Sequence, residues 1–285
     1  MTVSLIQQRL ESYRCQDARE EEHALREIAQ ELILAGLSRT DYFKFALFQG
    51  GTALRIFYGL QRFSEDLDFL LKSPDSGFDL VPFLKSACRE LEAFGFDFEI
   101  MDKSRDERAV RKVFVKQEAA GILLNLKYTP RDRSTKSLRV KIECDVRPPE
   151  GSGEKIKYLT FPFACAVALQ DEPSLLAGKL HAVLCRKVEK GRDWYDLLWY
   201  SGQKAAVNYD FLSSALDQSG PWQGKGMKVN AAWIRTALED KIQRIDWEEM
   251  KKDIQPFVKS HERPSLDVWG KDFFTSCVEN VFCER

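Results

Sequence analysis

A chain of 285 residues with 43 Lys and Arg against 44 Asp and Glu has a formal net charge of −1, so no global basic field marks it as a nucleic-acid-coating protein. Seven scattered cysteines without a CxxC pair, and only three histidines, argue against a disulfide framework and a zinc site and suit reduced thiols. The length suits one large or two modest domains, and the opening MTVSLIQQRLESYRCQ lacks the apolar core of a signal peptide or membrane span, so a cytoplasmic protein is expected.

In chain order, the first forty or so residues read as polar helices with an apolar stripe through Ile28, Leu32, Ile33 and Ala35, stopping at Gly36. Phe43, Phe45, Leu47 and Phe48 predict a strand that enters a turn at Gly50 and Gly51, where a missing Cβ permits close backbone approach. Thr52 is expected as N-cap of a short helix carrying Leu54, Phe57 and Tyr58 on one face. Ser64 to Leu70 alternates as a strand, so Asp66 and Asp68 share a face and Leu67 and Phe69 point into a core. Lys72 to Gly77 is expected as a loop and Val81 to Phe94 as a helix capped by Gly95. Strands are predicted over Phe96–Met101, Arg111–Gln117, Gly121–Tyr128 and Val140–Val146. Gly151-Ser152-Gly153 and Pro162 mark a boundary, giving domains at 1–155 and 156–285, with helices from Ala177 onward.

Two carboxylates on one strand face beside a glycine turn make a site for a hard divalent cation, Mg²⁺ first and Mn²⁺ as an alternative. In VKIECDV, alternation puts Lys141, Glu143 and Asp145 on one face; Glu143 or Asp145 could complete the metal shell and Lys141 could neutralise phosphate. In LAGKLHAVLCR, Leu176, Leu180, Val183 and Leu184 form a buried helical stripe, Lys179 and Arg186 share a face, and His181 reads as a partly packed histidine. In KGRDWYDL, Gly191 ends one helix and Asp193 enters the first turn of the next, where the dipole favours a carboxylate; Asp196, one turn on, could pair with Arg192. The basic run from Lys103 to Arg139 could be a solvated face or an electrostatic track for a polynucleotide or a triphosphate.

GGTALR followed by RFSEDLDF resembles the first signature of polymerase-β-like nucleotidyltransferases, in the form found in the AbiEii/AbiGii toxin family. Lys141-Ile142-Glu143, the LAGKLHAVLCR helix and KGRDWYD resemble that family's further motifs, so the resemblance spans roughly Gly50 to Leu198. It implies an α+β nucleotidyltransferase domain with a mixed twisted sheet, followed by a mainly helical domain contributing Lys179 and Asp193. It also implies Asp66, Asp68, Glu143, Lys179 and Asp193 as catalytic, and Asp66, Asp68 and Glu143 as metal ligands. Gly50, Gly51, Thr52, Ser64, Lys179 and Arg186 are implied to bind nucleotide. The reaction implied is NMP transfer from an NTP to an acceptor such as RNA, with a tRNA 3′ end among the candidates. A separately encoded antitoxin that need not form a stable complex is implied too, in a toxin–antitoxin or phage-defence setting. Alternatives are a metal-dependent nuclease, although Lys141-x-Glu143 reverses the usual carboxylate-x-Lys order, a sugar-nucleotide glycosyltransferase, and a nucleotide-binding module without catalysis.

Overall fold

The computed structural model describes residues 2–92, 98–102, 110–117, 138–203 and 205–282. Gly95, the stretch Gly121–Tyr128 expected as a strand, and most of the basic run lie outside them. The fold is α+β, as expected, and the chain divides into two compact units: Met1–Gly59 with Phe63–Pro148 and Lys155–Leu169, and Leu60–Arg62 with Pro149–Glu154 and Gln170–Arg285.

In the first unit, helices α1 (Thr2–Ser12) and α2 (Ala18–Ser38) precede a one-turn helix α3 (Tyr42–Phe45), strand β1 (Ala46–Gln49) and helix α4 (Gly50–Tyr58). Strand β2 (Asp66–Leu71), helix α5 (Val81–Glu92) and strands β3 (Phe98–Asp102), β4 (Val110–Gln117), β5 (Leu138–Asp145), β6 (Glu154–Leu159) and β7 (Cys165–Gln170) follow. Among the described residues the strands form one seven-stranded sheet in the order β3-β4-β5-β2-β1-β7-β6. β2 lies antiparallel to β1 and parallel to β5, so the carboxylate-bearing strand has partners on both sides.

Helix α2 starts because Asp17 accepts hydrogen bonds from the N–H groups of Arg19 and Glu20. Its buried charges are compensated: Glu31 pairs with Arg9, while Glu27 accepts from Arg55 Nε at 2.9 Å and from the Tyr13 hydroxyl at 3.0 Å. Alternation in β2 and β5 buries Leu67, Phe69, Val140, Ile142 and Cys144 and leaves Asp66, Asp68, Lys141 and Glu143 half-buried on the other face. The strand expected over Phe43–Phe48 is shorter: Thr40 Oγ1 accepts the Tyr42 N–H at 3.2 Å and the Asp41 carbonyl accepts the Lys44 N–H at 3.0 Å, closing a helical turn first. β6 and β7 occupy the stretch expected as a domain boundary, and β7 pairs in parallel with β1.

The second unit is helical: α6 (Glu172–Cys185), α7 (Gly191–Ser201), α8 (Tyr209–Gln218), α9 (Ala231–Ile242), α10 (Trp247–Ile254) and α11 (Lys271–Val281), with 3₁₀ segments at Gln255–Phe257 and Ser260–Val268. Asp171, Asn208, Asn230 and Asp246 cap α6, α8, α9 and α10 by accepting from backbone N–H groups two or three residues into each helix. Trp194, Trp247, Trp269 and Phe274 form an aromatic core, with Trp247 stacked on Phe274 at 4.4 Å between centroids.

Gly191 opens α7 because nothing larger fits: a Cβ there would lie 2.2 Å from the Met250 carbonyl oxygen and 3.1 Å from the Ile254 backbone nitrogen. Gly191→Ala is expected to cost about 1–3 kcal/mol by forcing α7 off α10. Gly178→Ala, in the middle of α6 with nothing within 4 Å, is expected to stabilise by about 0.5–1 kcal/mol. Thermal melts of the two variants check the opposite signs. Among the described residues, no helix is long and apolar enough to cross a membrane, and Cys15, Cys88, Cys144, Cys165, Cys185 and Cys277 carry free thiols.

Candidate active site

The residues singled out in the sequence fall into two groups, one in each unit. In the first, the β2–β5 register sets Asp66 beside Lys141 and Asp68 beside Glu143, and the β4–β5 register sets Lys112 opposite Glu143. Gln49 lies opposite Asp68 on β1, so Gln49, Asp68, Glu143 and Lys112 form a row across four strands.

Lys112 Nζ lies 2.7 Å from Glu143 Oε1, Lys141 Nζ lies 2.7 Å from Glu143 Oε2, and Lys141 Nζ lies 3.5 Å from Asp66 Oδ2. Partial burial opposes ionisation of Glu143, but the two ammonium groups outweigh it and hold the carboxyl below its usual range. Burial likewise opposes charge on Lys141, and the Glu143 and Asp66 carboxylates outweigh it, raising its pKa. Asp145 lies further along β5; its Oδ1 accepts the Arg147 N–H at 2.9 Å, and burial pushes its carboxyl up.

The glycine turn differs in detail from the expectation. Gln49, in extended backbone, is the N-cap of α4, and Thr52 lies inside the first turn rather than at the cap. Its hydroxyl donates to the Asp66 carbonyl oxygen at 2.5 Å, so α4 is tied to the start of β2. The Asp66 carbonyl, brought to Thr52 only by the fold, takes up its hydroxyl. Ser64 precedes the strand and its carbonyl accepts from Gln30 Nε2 at 3.2 Å. Gly50 has φ +82°, and a Cβ on it would fall 2.6 Å from Asp68 Oδ2. Gly50→Ala is expected to lose about 1–2 kcal/mol from the left-handed backbone alone and to push the Asp68 carboxylate aside. Urea unfolding beside an activity assay checks it: activity should fall further than the stability loss explains.

The second group joins α6 to α7. Asp196 is fully buried and accepts from Arg62 Nε and Nη2 at 2.7 Å each, while Lys179 Nζ lies 2.7 Å from its Oδ2. Burial alone would raise the Asp196 carboxyl; Arg62 and Lys179 hold it below the usual carboxylate range. Seven residues after Lys179, Arg186 Nε lies 2.7 Å from Asp193 Oδ2, so two ion pairs run between antiparallel helices. Asp193 is in the first turn of α7, as expected. Asp196, expected as a partner of Arg192, instead anchors Lys179, whereas the Arg192 guanidinium lies over the Phe257 ring at 4.6 Å. His181 is largely packed, with Nε2 3.3 Å from Ser219 Oγ, and burial lowers its pKa.

One charged residue here escaped the sequence reading, and a second was read there only as part of a basic run. Arg62 is a lone charge between Leu60 and Phe63, and such a cation among apolar neighbours is the only local hint of its buried partner. Lys112, expected only as one cation of the Lys103–Arg139 run, gains its partner Glu143 once the β4–β5 register is known.

Asp66, Asp68 and Glu143 supply hard oxygen donors, and Gly50 leaves room beside Asp68 that a Cβ would fill, so the face fits a hard divalent cation at its two aspartates. Among the described residues, no three carboxylate, histidine or cysteine side chains converge as a ready-made metal cluster.

A family model described as "Nucleotidyl transferase AbiEii toxin, Type IV TA system" matches residues 32–272. A crystal structure of a candidate nucleotidyltransferase from H. pylori is similar over 89% of this chain and 89% of its own, with a TM-score of 0.50 and 19% identity. The crystal structure of JHP933 from Helicobacter pylori covers 92% of this chain and 89% of its own, with a TM-score of 0.49 and 18% identity. No curated protein sequence matches. Since the family model spans both groups of charged residues and most of the chain between its ends, the chain belongs to the AbiEii nucleotidyl transferase toxin family of type IV toxin–antitoxin systems.

Proposed function

We propose that the protein transfers NMP from an NTP to an RNA acceptor, a tRNA 3′ end among the candidates, as the toxin of a bacterial toxin–antitoxin pair acting in the cytoplasm. The observation that carries this reading is the pairing of Asp66 and Asp68 on one face of β2 with Gly50 packed against Asp68 and Thr52 holding the Asp66 carbonyl. A helix start, a close backbone approach and two oxygen donors together suit a triphosphate.

Asp66 and Asp68 would hold Mg²⁺, which when bound neutralises triphosphate charge and orients the α-phosphate. The N–H groups at the start of α4 would contact phosphate oxygens through the helix N-terminus. An acceptor hydroxyl oxygen bonds to the α-phosphorus, the α–β bridging bond breaks, and pyrophosphate leaves with its electron pair. A carboxylate of this face takes the hydroxyl proton. Within the second unit, Asp196 and Asp193 fix the directions of Lys179 and Arg186, two cations of the kind that suits phosphate. The family implies a separately encoded antitoxin, and this reading needs no stable complex with it.

The test is incubation of the purified protein with Mg²⁺, each α-³²P-labelled NTP in turn and total bacterial RNA. Label on RNA that disappears with Asp66→Asn supports the reading and names the nucleotide. RNA cleaved without label would replace it with a nuclease.

A further inference from the structure

The second unit holds a cavity of about 810 Å³, a volume ordinary for a small-molecule site. One wall is a face of α9: Trp233, Thr236, Ala237, Asp240 and Arg244 recur at helical spacing, from its first turn to just past its last. At the start of α9, Trp233 meets Trp222 edge to face, with 5.2 Å between ring centroids, and both indoles are half-buried. Trp222 sits on a closed loop: Asp217 accepts the Gly224 N–H through its carbonyl at 2.9 Å and the Gly226 N–H through Oδ1 at 2.6 Å. The loop packs on the end of α6, where Gly220 has φ +97° and a Cβ on it would lie 2.7 Å from Cys185 Sγ. Burial pushes the Cys185 thiol up to about 11, so it stays protonated and joins Ile245 and Met250 in the apolar lining.

Charged side chains gather at the other end of α9. Lys241, in its last turn, lies 2.8 Å from Glu189 and donates to the Leu184 carbonyl at 3.4 Å, which brings Arg186 and Lys187 to this end as well. Glu189 is thus engaged by Lys241, and Asp246 caps α10 by accepting the Glu249 N–H at 3.1 Å. Among the described residues, Lys187 and Arg244 pair with no carboxylate. Cations and acids line the cavity in equal number, so a run of phosphates gains little there, and the cavity is no track for a polynucleotide backbone. A ligand with one aromatic ring, sugar hydroxyls and a phosphate uses every kind of wall: indole faces, carboxylate acceptors and cations.

We propose that this cavity binds a single nucleotide unit, its base on the Trp222–Trp233 pair and its phosphate at Lys187 and Arg244, as a free nucleotide or as the end of the RNA acceptor. The base stacks on one indole and meets the edge of the other, and the closed loop holds Trp222 in place before the ligand arrives, which lowers the ordering cost of binding. Choosing a nucleotide among ring-bearing ligands rests on the nucleotidyl-transfer reading; the cavity and its lining do not.

Equilibrium dialysis in EDTA, which removes metal-dependent binding, tests this with each 5′-nucleoside monophosphate, the matching nucleosides and a short single-stranded RNA. The full chain is compared with Trp222→Ala, Trp222→Phe, Arg244→Ala and Lys228→Ala, each first shown to be folded by its thermal melt. Trp222→Ala is expected to lose about tenfold in affinity, the size of one base–aromatic stack, and Trp222→Phe, which keeps a ring, to recover most of it. Arg244→Ala should lose roughly tenfold for the monophosphate, the size of one charged hydrogen bond, and almost nothing for the nucleoside. Lys228→Ala, exposed and outside the lining, should stay within about twofold. RNA binding that depends on Trp222 identifies the acceptor's end as the source of the nucleotide; binding of the monophosphate alone identifies a free nucleotide. Affinities that Trp222→Ala leaves unchanged, or no binding of any probe, would overturn the proposal while labelled NMP transfer to RNA still upholds the reaction. Trp222-dependent binding in a protein that transfers no label would overturn the nucleotidyl-transfer reading alone.

Discussion

Asp196→Ala is expected to lower folding stability by about 3–5 kcal/mol, because it strips the buried Arg62 of the carboxylate that accepts two of its hydrogen bonds. Lys179 loses the same partner, and no water reaches the position, since Asp196 is wholly buried and Arg62 nearly so. For a chain of this size the melting temperature should drop by roughly 10 °C. Asp193→Ala provides the contrast. Its partner Arg186 is about half exposed at 52%, so solvent screens that pair, and losing it should cost about 1 kcal/mol or less. The Asp196 contribution also has a pH dependence of defined sign. Its folded carboxyl ionises at a lower pH than the unfolded one, so the stabilisation is complete above the unfolded value near 4 and is lost as the pH falls through the folded value. Urea unfolding of wild-type protein should therefore weaken below about pH 4, and the slope should be shallower in Asp196→Ala. Equal losses for Asp193→Ala and Asp196→Ala, or identical pH slopes, would remove the buried carboxylate from its place as the anchor of the second unit.

The parts of this site that could be read in the sequence are those set by local periodicity. Period-two alternation suffices to put Asp66 with Asp68 and Lys141 with Glu143, because one buried face of each strand fixes the other. Helical spacing likewise suffices for Lys179 and Arg186, and dipole preference for Asp193. What escaped depends on partners far along the chain. Arg62 and Asp196 are 134 residues apart, and no pattern within either segment names the other. Thr52 looks like a cap until the Asp66 carbonyl is brought to it. β6 and β7 were hidden for two different reasons. Among the described residues β6 is an edge strand whose Ile156 and Tyr158 are 60% and 73% exposed, so its apolar residues do not mark a buried face. β7, buried beside a parallel neighbour, reads as a short continuous apolar run without alternation, next to glycines and a proline that suggest a linker.

Asp66→Asn and Asp68→Asn are each expected to reduce NMP transfer by on the order of 10³-fold while leaving the fold intact, the scale of losing one preorganised charge-stabilising group in an active site. Both side chains are half-buried on the open face of β2, and asparagine keeps their volume, so neither change opens a cavity. Thr52 bonds the Asp66 main chain, not its side chain, so the link between α4 and β2 survives the substitution. Asp66→Asn also gives up the 3.5 Å contact with Lys141, which at this exposure contributes about 1 kcal/mol or less, so the melting temperature should stay within a few degrees of wild type. On the proposed reading the two aspartates act through one bound cation, so the double variant should be little worse than either single one; additive losses would mean that they serve separate steps. Asp145→Asn is the control on the neighbouring strand: its Oδ1 is engaged by the Arg147 N–H, and it should retain activity within about tenfold. Activity that survives Asp66→Asn and Asp68→Asn but vanishes with Asp145→Asn would move the metal site along the strand and undo the assignment of the aspartate pair.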